Sequence, residues 1–368
     1  MKIPFNYLNY EFKNINPYIS KWKLLAKSTE FTLGPFVKKF EIEFAKYIGA
    51  KYCISTNNGT DALILCLKAL GVKKGDEVIT VSNTFYATAG AIVACGAKPI
   101  LVDCDERYQI NIRQIEKKIN NKTKVIMPVH WGGASPEMDK IVKLANKYKV
   151  KIVEDACMGI GASIKGKSPG TFGTVNAFSM HPLKSLNVMG DGGMVTTNNS
   201  KIFSWLKKYR NHGMVNRDEI EFWGLNNRLQ PFQAIVASIG LKKINSVIRK
   251  RNNNAKEMDK LLSPLFPNVI IPKRLKGYKE TYSLYMCLFK KRDSLMKYLL
   301  KNKIETKIHY PIPLNKQKAA KNLKLNQKNF KNVNIQSKKL LTLPIHQYLT
   351  KTQINFIAQK IKNFYKIN

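Results

Sequence analysis

Apolar residues in the first half of the chain come in short continuous runs separated by amphipathic stretches. Tyr52 to Ser55, Glu77 to Thr80, Pro99 to Val102, Val125 to Val129 and Val150 to Glu154 read as strands. Between them, Thr60 to Leu70, Tyr86 to Cys95, Ile112 to Ile119 and Pro136 to Tyr148 carry helical spacing, as does Val37 to Ile48 before them. Uninterrupted apolar strands alternating with helices indicate an α/β unit whose mostly parallel sheet is covered on both faces. The pattern then changes. A strand from Val175 to Met180, a polar hinge and a second strand ending near Thr197 form a hairpin. Helices follow at Lys201 to Tyr209, from about Pro231 to Ile244, and near Val247 to Leu262. The last third has strand Tyr282 to Phe289, helix Ser294 to Asn302, strand Glu305 to Lys307 and a closing helix. Ile354, Ile357, Ala358, Ile361 and Phe364 mark one face of that last helix. The first thirty residues read as irregular, and the Lys/Asn-rich stretch 315–339 as a mobile or surface region. Residues 1–245 are expected to form a large domain and 246–368 a smaller α+β one.

Ligands of parallel sheets bind beyond the carboxyl ends of the strands, and the polar clusters fall there. They are Asn57-Asn58-Gly59-Thr60-Asp61, Ser82-Asn83-Thr84-Phe85, His130-Trp131-Gly132 and Asp155. Gly59-Thr60 opens a helix after a strand, a place where free amides and a hydroxyl hold phosphate, or where a plain N-cap sits. Asp155 closes an apolar strand and needs a cationic partner or hydrogen bonds. A protonated pyridine nitrogen is one such partner. Phe85 is placed either to stack on an aromatic ring or to fill core. Lys184 lies in the hairpin hinge between Pro182 and the glycines 190, 192 and 193. A lysine buried there has its pKa lowered and acts as an amine nucleophile; left on the surface it is one of many. Gly161 to Ser168 matches the phosphate-loop pattern G-x-x-x-x-G-K-[ST], but Pro169-Gly170 follows where that motif needs a helix. It reads as a hairpin.

Composition narrows this. Hydrophobic residues make up 44% of 368, ample for an enzyme-sized core. No apolar run approaches the roughly 20 residues of a membrane span, and Met1 to Asn14 lacks the apolar stretch of a signal peptide. A cytoplasmic protein is expected. The net charge of +39 raises the question of nucleic acid, yet the lysines are spread along the chain without an arginine cluster, zinc-finger spacing or aromatic RNA-binding strand. No nucleic acid is expected as a partner, and the charge favours an acidic small substrate. Six single cysteines, none in a C-x-x-C, point to buried reduced thiols and to no metal.

Taken in order, Asn58-Gly-Thr-Asp-Ala-Leu63, Thr84-Phe-Tyr-Ala-Thr88, Pro128-Val-His-Trp-Gly-Gly133, Val153-Glu-Asp-Ala156, Phe178-Ser-Met-His-Pro-Leu-Lys184, Gly190-Asp-Gly-Gly193 and Gly224-Leu-Asn-Asn-Arg-Leu229 form a series. The chain resembles the DegT/DnrJ/EryC1/StrS family of pyridoxal-phosphate sugar aminotransferases, from Phe31-Thr-Leu-Gly-Pro35 to Leu343-Pro-Ile-His346. The resemblance implies a type I aminotransferase fold and a homodimer with shared active sites. It implies an amino-acid donor, glutamate, and a nucleotide-linked keto-sugar acceptor. By the same resemblance Lys184 carries the cofactor and moves a proton, Asp155 pairs with the pyridinium nitrogen, and Phe85 stacks on the ring. Gly59, Thr60 and Ser179 hold the phosphate, Asn226 and Arg228 reach the neighbouring subunit's site, and His309 and Tyr310 lie near the sugar. Met158 stands where the family usually has a glutamine beside the cofactor's phenolic oxygen, and Asn227 replaces a usual aromatic. A sugar dehydratase of the same fold is the first alternative. Relatives of that kind are expected to carry histidine at the lysine position, and Lys184 argues against it. A non-catalytic basic binding or regulatory protein is the second.

Overall fold

The computed structural model describes residues 1–323, 325 and 330–367. Seven strands form its main sheet: β1 (Tyr52–Thr56), β2 (Glu77–Val81), β3 (Lys98–Val102), β4 (Thr123–Met127), β5 (Lys151–Asp155), β6 (Val175–Ser179) and β7 (Gly193–Thr197). Their spatial order is β1-β7-β6-β5-β4-β2-β3, and every neighbouring pair is parallel except the two made by β7. The apolar strands are buried because helices cover both faces. One layer packs Leu63, Leu67, Ala91 and Leu206 against Val78, Val153 and Val195, while Val37, Phe40, Phe44 and Ile244 lie with Phe178 and Met194. Asn58, Asn111 and Asn199 cap their helices, each side chain accepting an amide from the first turn. A Cβ at Gly193 would fall 2.2 Å from the Asn58 carbonyl oxygen. Only glycine lets β7 pass so close to the turn that follows β1.

The second unit is built on β8 (Val269–Ile270), β9 (Tyr285–Phe289) and β10 (Leu340–Leu343), antiparallel in the order β10-β9-β8. Helices Arg292–Lys301 and Lys351–Ile367 cover it, and the closing helix buries the five residues its spacing marked. The N-terminal arm joins this unit: Ile3 N–H donates to the Lys303 carbonyl at 2.8 Å and Glu305 N–H to the Ile3 carbonyl at 3.0 Å.

Four elements differ from their sequence patterns. Pro231–Leu262 is one helix of 32 residues, not two, and the boundary expected after residue 245 lies inside it. Asn16–Ser28, within the supposedly irregular start, is helical, with only Tyr18 and Leu25 buried. Glu305–Lys307 is no strand and makes a single bridge from Lys307 to Thr342. The described part of 315–339 is packed: Ser82 Oγ donates to Asn315 Oδ1 at 2.9 Å, Asn83 Nδ2 to Gln336 Oε1 at 2.8 Å, and Lys331–Lys339 is helical. Residues 324 and 326–329 of that stretch lie outside the described residues. Gly161 to Ser168 is a tight hairpin, with Ile164 and Lys167 exchanging backbone hydrogen bonds and no helix after it. Among the described residues no helix is long and apolar enough to cross a membrane. All six cysteines are unpaired and five are buried.

Candidate active site

A cavity of about 600 Å³ opens where β1, β5 and β6 end, between the main sheet and the second unit. Lys184 reaches it from the turn between β6 and β7. That turn is held by Lys184 N–H to the His181 carbonyl (2.8 Å), by Ser185 Oγ to the Ile160 carbonyl (3.1 Å), and by Tyr7 OH to the Lys184 carbonyl (3.1 Å). Burial pushes the Lys184 ammonium below the ordinary lysine value, against the opposing pull of Cys157 and Asp155. A larger share of Lys184 is therefore the neutral, nucleophilic amine.

Asp155 ends β5 and lines the cavity. Its Oδ2 accepts from Thr88 Oγ1 at 2.8 Å and its Oδ1 from Cys157 N–H at 3.3 Å, while Thr88 also meets Thr84 Oγ1 at 3.0 Å. Behind it, Glu154 accepts the amides of Gly170, Phe172 and Gly173 and the Nε2 of His130, whose Nδ1 meets Ser135. This buried network fixes the end of β5 and with it the direction of Asp155. Cys157 lines the cavity as well, its thiol pushed up by burial and by Asp155.

Gly59 and Thr60 open the helix Gly59–Ala69 on the cavity wall. The Asn58 side chain caps Asp61 N–H, and the Gly59 and Thr60 amides have no acceptor among the described residues. Ser179, at the end of β6, faces them so closely that a Cβ on Gly59 would lie 2.7 Å from the Ser179 Cβ. Two free amides at a helix N-terminus beside two hydroxyls form an anion cradle.

Phe85, 42% exposed, lies 4.2 Å from the Tyr86 ring and 5.6 Å from Tyr310, centroid to centroid. His309 Nδ1 meets Thr342 Oγ1 at 2.8 Å; burial, Lys307 and Lys184 push this imidazole down to about 4. The Met158 sulfur accepts from Gly132 N–H at 3.3 Å, and its carbonyl accepts from Thr281 Oγ1 at 2.9 Å and Ser283 Oγ at 3.3 Å. The position where a glutamine was expected therefore ties the second unit to the end of β5.

Nine of the eleven residues singled out from the sequence line this cavity: Gly59, Thr60, Phe85, Asp155, Met158, Ser179, Lys184, His309 and Tyr310. Asn226 and Arg228 do not. Arg228 Nε donates to Asn226 Oδ1 at 2.8 Å and Nη1 to Asn211 Oδ1 at 3.0 Å, on an outlying loop. The cavity also takes in Tyr7, Thr88, His181, Arg251 and His346, none assigned a role from the sequence. Thr88, His181 and His346 lie within the sequence motifs above; Tyr7 and Arg251 carry no local signal.

The sequence profile of the DegT/DnrJ/EryC1/StrS aminotransferase family matches residues 16–362. The chain belongs to that family. Its cofactor is pyridoxal 5′-phosphate and its chemistry sugar transamination. Among DegT/DnrJ/EryC1/StrS relatives, the chain is 36% identical to the UDP-2-acetamido-2-deoxy-3-oxo-D-glucuronate aminotransferase of Pseudomonas aeruginosa, covering 91% of this chain and 92% of that one. It is 33% identical to a pleiotropic regulatory protein of Geobacillus stearothermophilus over 100% and 99%. The solved structure of S. venezuelae DesV, in complex with a ketimine intermediate, superposes with a TM-score of 0.95 at 31% identity, over 99% and 98% of the two chains. The residues of the cavity fit the family's cofactor: a lysine of depressed pKa, an oriented carboxylate and a pair of unsatisfied amides in one enclosure.

Proposed function

We propose that this enzyme moves nitrogen from glutamate to the carbonyl carbon of a nucleotide-linked keto-sugar, in two half-reactions through one cavity. The observation that carries the reading is the convergence of Lys184, Asp155 and the Gly59-Thr60 amides on that cavity. Bound pyridoxal phosphate supplies an electron sink for charge developing at the substrate carbon. Lys184 Nζ would hold the cofactor covalently and, once displaced by the incoming amine, would carry a proton between the substrate carbon and the cofactor carbon on the other side of the shared nitrogen. Asp155, held by Thr88, would keep a proton on the pyridine nitrogen. Gly59, Thr60 and Ser179 would hold the phosphate, and Phe85 would stack on the ring. Met158 stands in place of the usual glutamine, and its sulfur, at best a weak acceptor, would not supply the hydrogen bond that the amide gives to the phenolic oxygen. His309 and Tyr310 face the sugar.

Asn226 and Arg228 act in a second copy's cavity. Their loop carries Trp223 at 88% exposure, with Val215, Ile220 and Leu225 also exposed. Apolar side chains so placed are expected to be covered, and a homodimer does this. The separate packing of the second unit around Tyr285, Leu295, Leu341 and Ile357 supports a division into a large and a small domain near the middle of the long helix.

The test is the absorbance spectrum of the pure protein with pyridoxal phosphate, before and after glutamate, for wild type and Lys184→Ala. A cofactor band that glutamate shifts in the wild type, and that the variant lacks, is the expected result. A protein that takes up no pyridoxal phosphate would sink the reading.

A further inference from the structure

Arg251, on the long helix, is 1% exposed and lines the active-site cavity. Its Nε donates to Gln347 Oε1 at 2.9 Å, its Nη1 to the Tyr282 carbonyl at 3.4 Å and its Nη2 to Tyr7 OH at 2.8 Å. The guanidinium also lies 5.1 Å from the Tyr7 ring centre. Three of its five N–H donors are engaged in this way, all with neutral groups. Among the described residues it has no ion pair. Glu11 is one side chain removed, accepting from Gln347 Nε2 at 2.7 Å and from Tyr348 OH at 2.9 Å.

This differs from how the chain treats its other enclosed arginines. Arg210 pairs with Glu41, Arg274 with Asp259 and Glu280, and Arg292 with Asp293. Arg107 also lacks an ion pair, but the cavity beside it holds about 10 Å³, the room of a single water. A buried cation is costly unless a counter-charge reaches it. Arg251 alone of these opens onto a space large enough for an organic anion.

His346 stands beside it. The ring is 5% exposed and lines the same cavity, and neither nitrogen has a hydrogen-bond partner of good geometry, although the Pro4 carbonyl approaches. Tyr7 packs against it at 5.5 Å and Tyr10 at 6.4 Å. A buried donor without a partner on a cavity wall marks a place where a ligand supplies one.

We infer that Arg251, with the His346 ring, is the seat of a carboxylate carried by a substrate. The carboxylate is that of the amino-acid donor or the acid group of an oxidised sugar. The seat is separate from the Gly59-Thr60 cradle, and it rests on the aminotransferase reading of the cavity. Arg251 offers two free N–H groups suited to a carboxylate, and the imidazole offers one more. Tyr7 fixes the guanidinium and, through the Lys184 carbonyl, places the seat beside the lysine turn.

The experiment uses the protein loaded with pyridoxal phosphate and follows each half-reaction by absorbance. The donor arm compares glutamate with its α-amide and with glutamine. The sugar arm runs amino-sugar nucleotides with and without a ring carboxylate in reverse. Arg251→Met is expected to raise KM for the carboxylate-bearing member of one arm by roughly 30-fold or more. It should change the matched amide or neutral sugar only slightly, with the cofactor band intact. The arm that responds identifies the source. Should Arg251→Met lose the cofactor, Arg251→Lys and His346→Gln carry the same comparison, and the wild-type preference for the charged member over the neutral one stands independently. Equal effects on charged and neutral members, or none, overturn the seat alone. A wild type whose spectrum no donor or sugar changes overturns the aminotransferase reading and the seat with it.

Discussion

Thr88 Oγ1 donates to Asp155 Oδ2 at 2.8 Å, so that a helix following β2 sets the direction of a carboxylate ending β5. The hydroxyl leaves Asp155 with lone pairs free towards the cavity while preventing rotation of the carboxyl. Thr88→Val keeps the shape and removes the donor. A hydrogen bond to a charged group contributes about 1.5–3 kcal/mol, so kcat should fall roughly 10-fold or more while the fold survives. Steady-state kinetics beside a thermal melt check this; unchanged kcat would show that Asp155 is oriented by other contacts.

Gly59→Ala places a methyl 2.7 Å from the Ser179 Cβ, between the first turn of a helix and the end of β6. Overpacking of this kind costs about 1–3 kcal/mol. The larger effect is expected on the amide cradle. Pyridoxal phosphate titrated into the variant should bind at least about 10-fold more weakly.

Met158→Gln retains an acceptor for Gly132 N–H and adds an amide donor on the cavity wall. The backbone contacts from Thr281 and Ser283 are untouched, because they use the Met158 carbonyl. One added hydrogen bond of about 1 kcal/mol should tighten cofactor binding roughly 5-fold. Equal dissociation constants in the two proteins would show that the cavity already satisfies the cofactor at this point.

Two imidazoles give the protein an acid limit. His309 and His346 are both pushed down to about 4, chiefly by burial. Unfolded, they titrate near 6.5, so the unfolded chain takes up protons first as the pH falls. Their contribution to stability is whole above about 6.5, declines as the pH drops towards 4, and loses nothing further below that. For each ring the loss is ~3 kcal/mol at most. Melting temperatures between pH 7.5 and 4.5 should fall less steeply in His346→Asn and His309→Asn than in the wild type. Carboxylates titrate in all three proteins and cancel in the comparison.

The main sheet was legible because its strands are short apolar runs bounded by turns, and Val175 to Ser179 is buried along its whole length. Residues 231–262 were harder. Polar residues around Asn245 look like a break, yet no proline or glycine lies there to end the helix. Ala234, Leu241 and Ile244 face the large unit while Ala255, Met258 and Leu262 face the small one, so the apolar stripe changes partner midway. Asn16–Ser28 buries only two side chains and left little periodicity to read. In the cavity, Lys184, Asp155 and Gly59 announced themselves by standing at strand ends. Tyr7, Arg251 and His346 did not, because what they do depends on segments that meet across 244 residues of chain, as in the bond from Arg251 to Tyr7.

The helix that runs from Pro231 to Leu262 belongs to both cores. Melting the small unit alone would expose Ala255, Met258 and Leu262 and fray the rod whose other half fills the groove beside Val37 and Phe44. Neither half can therefore be lost without weakening the other. Two folding centres joined by such a shared rod are coupled, so opening one lowers the stability of the other, and the cavity between them depends on both.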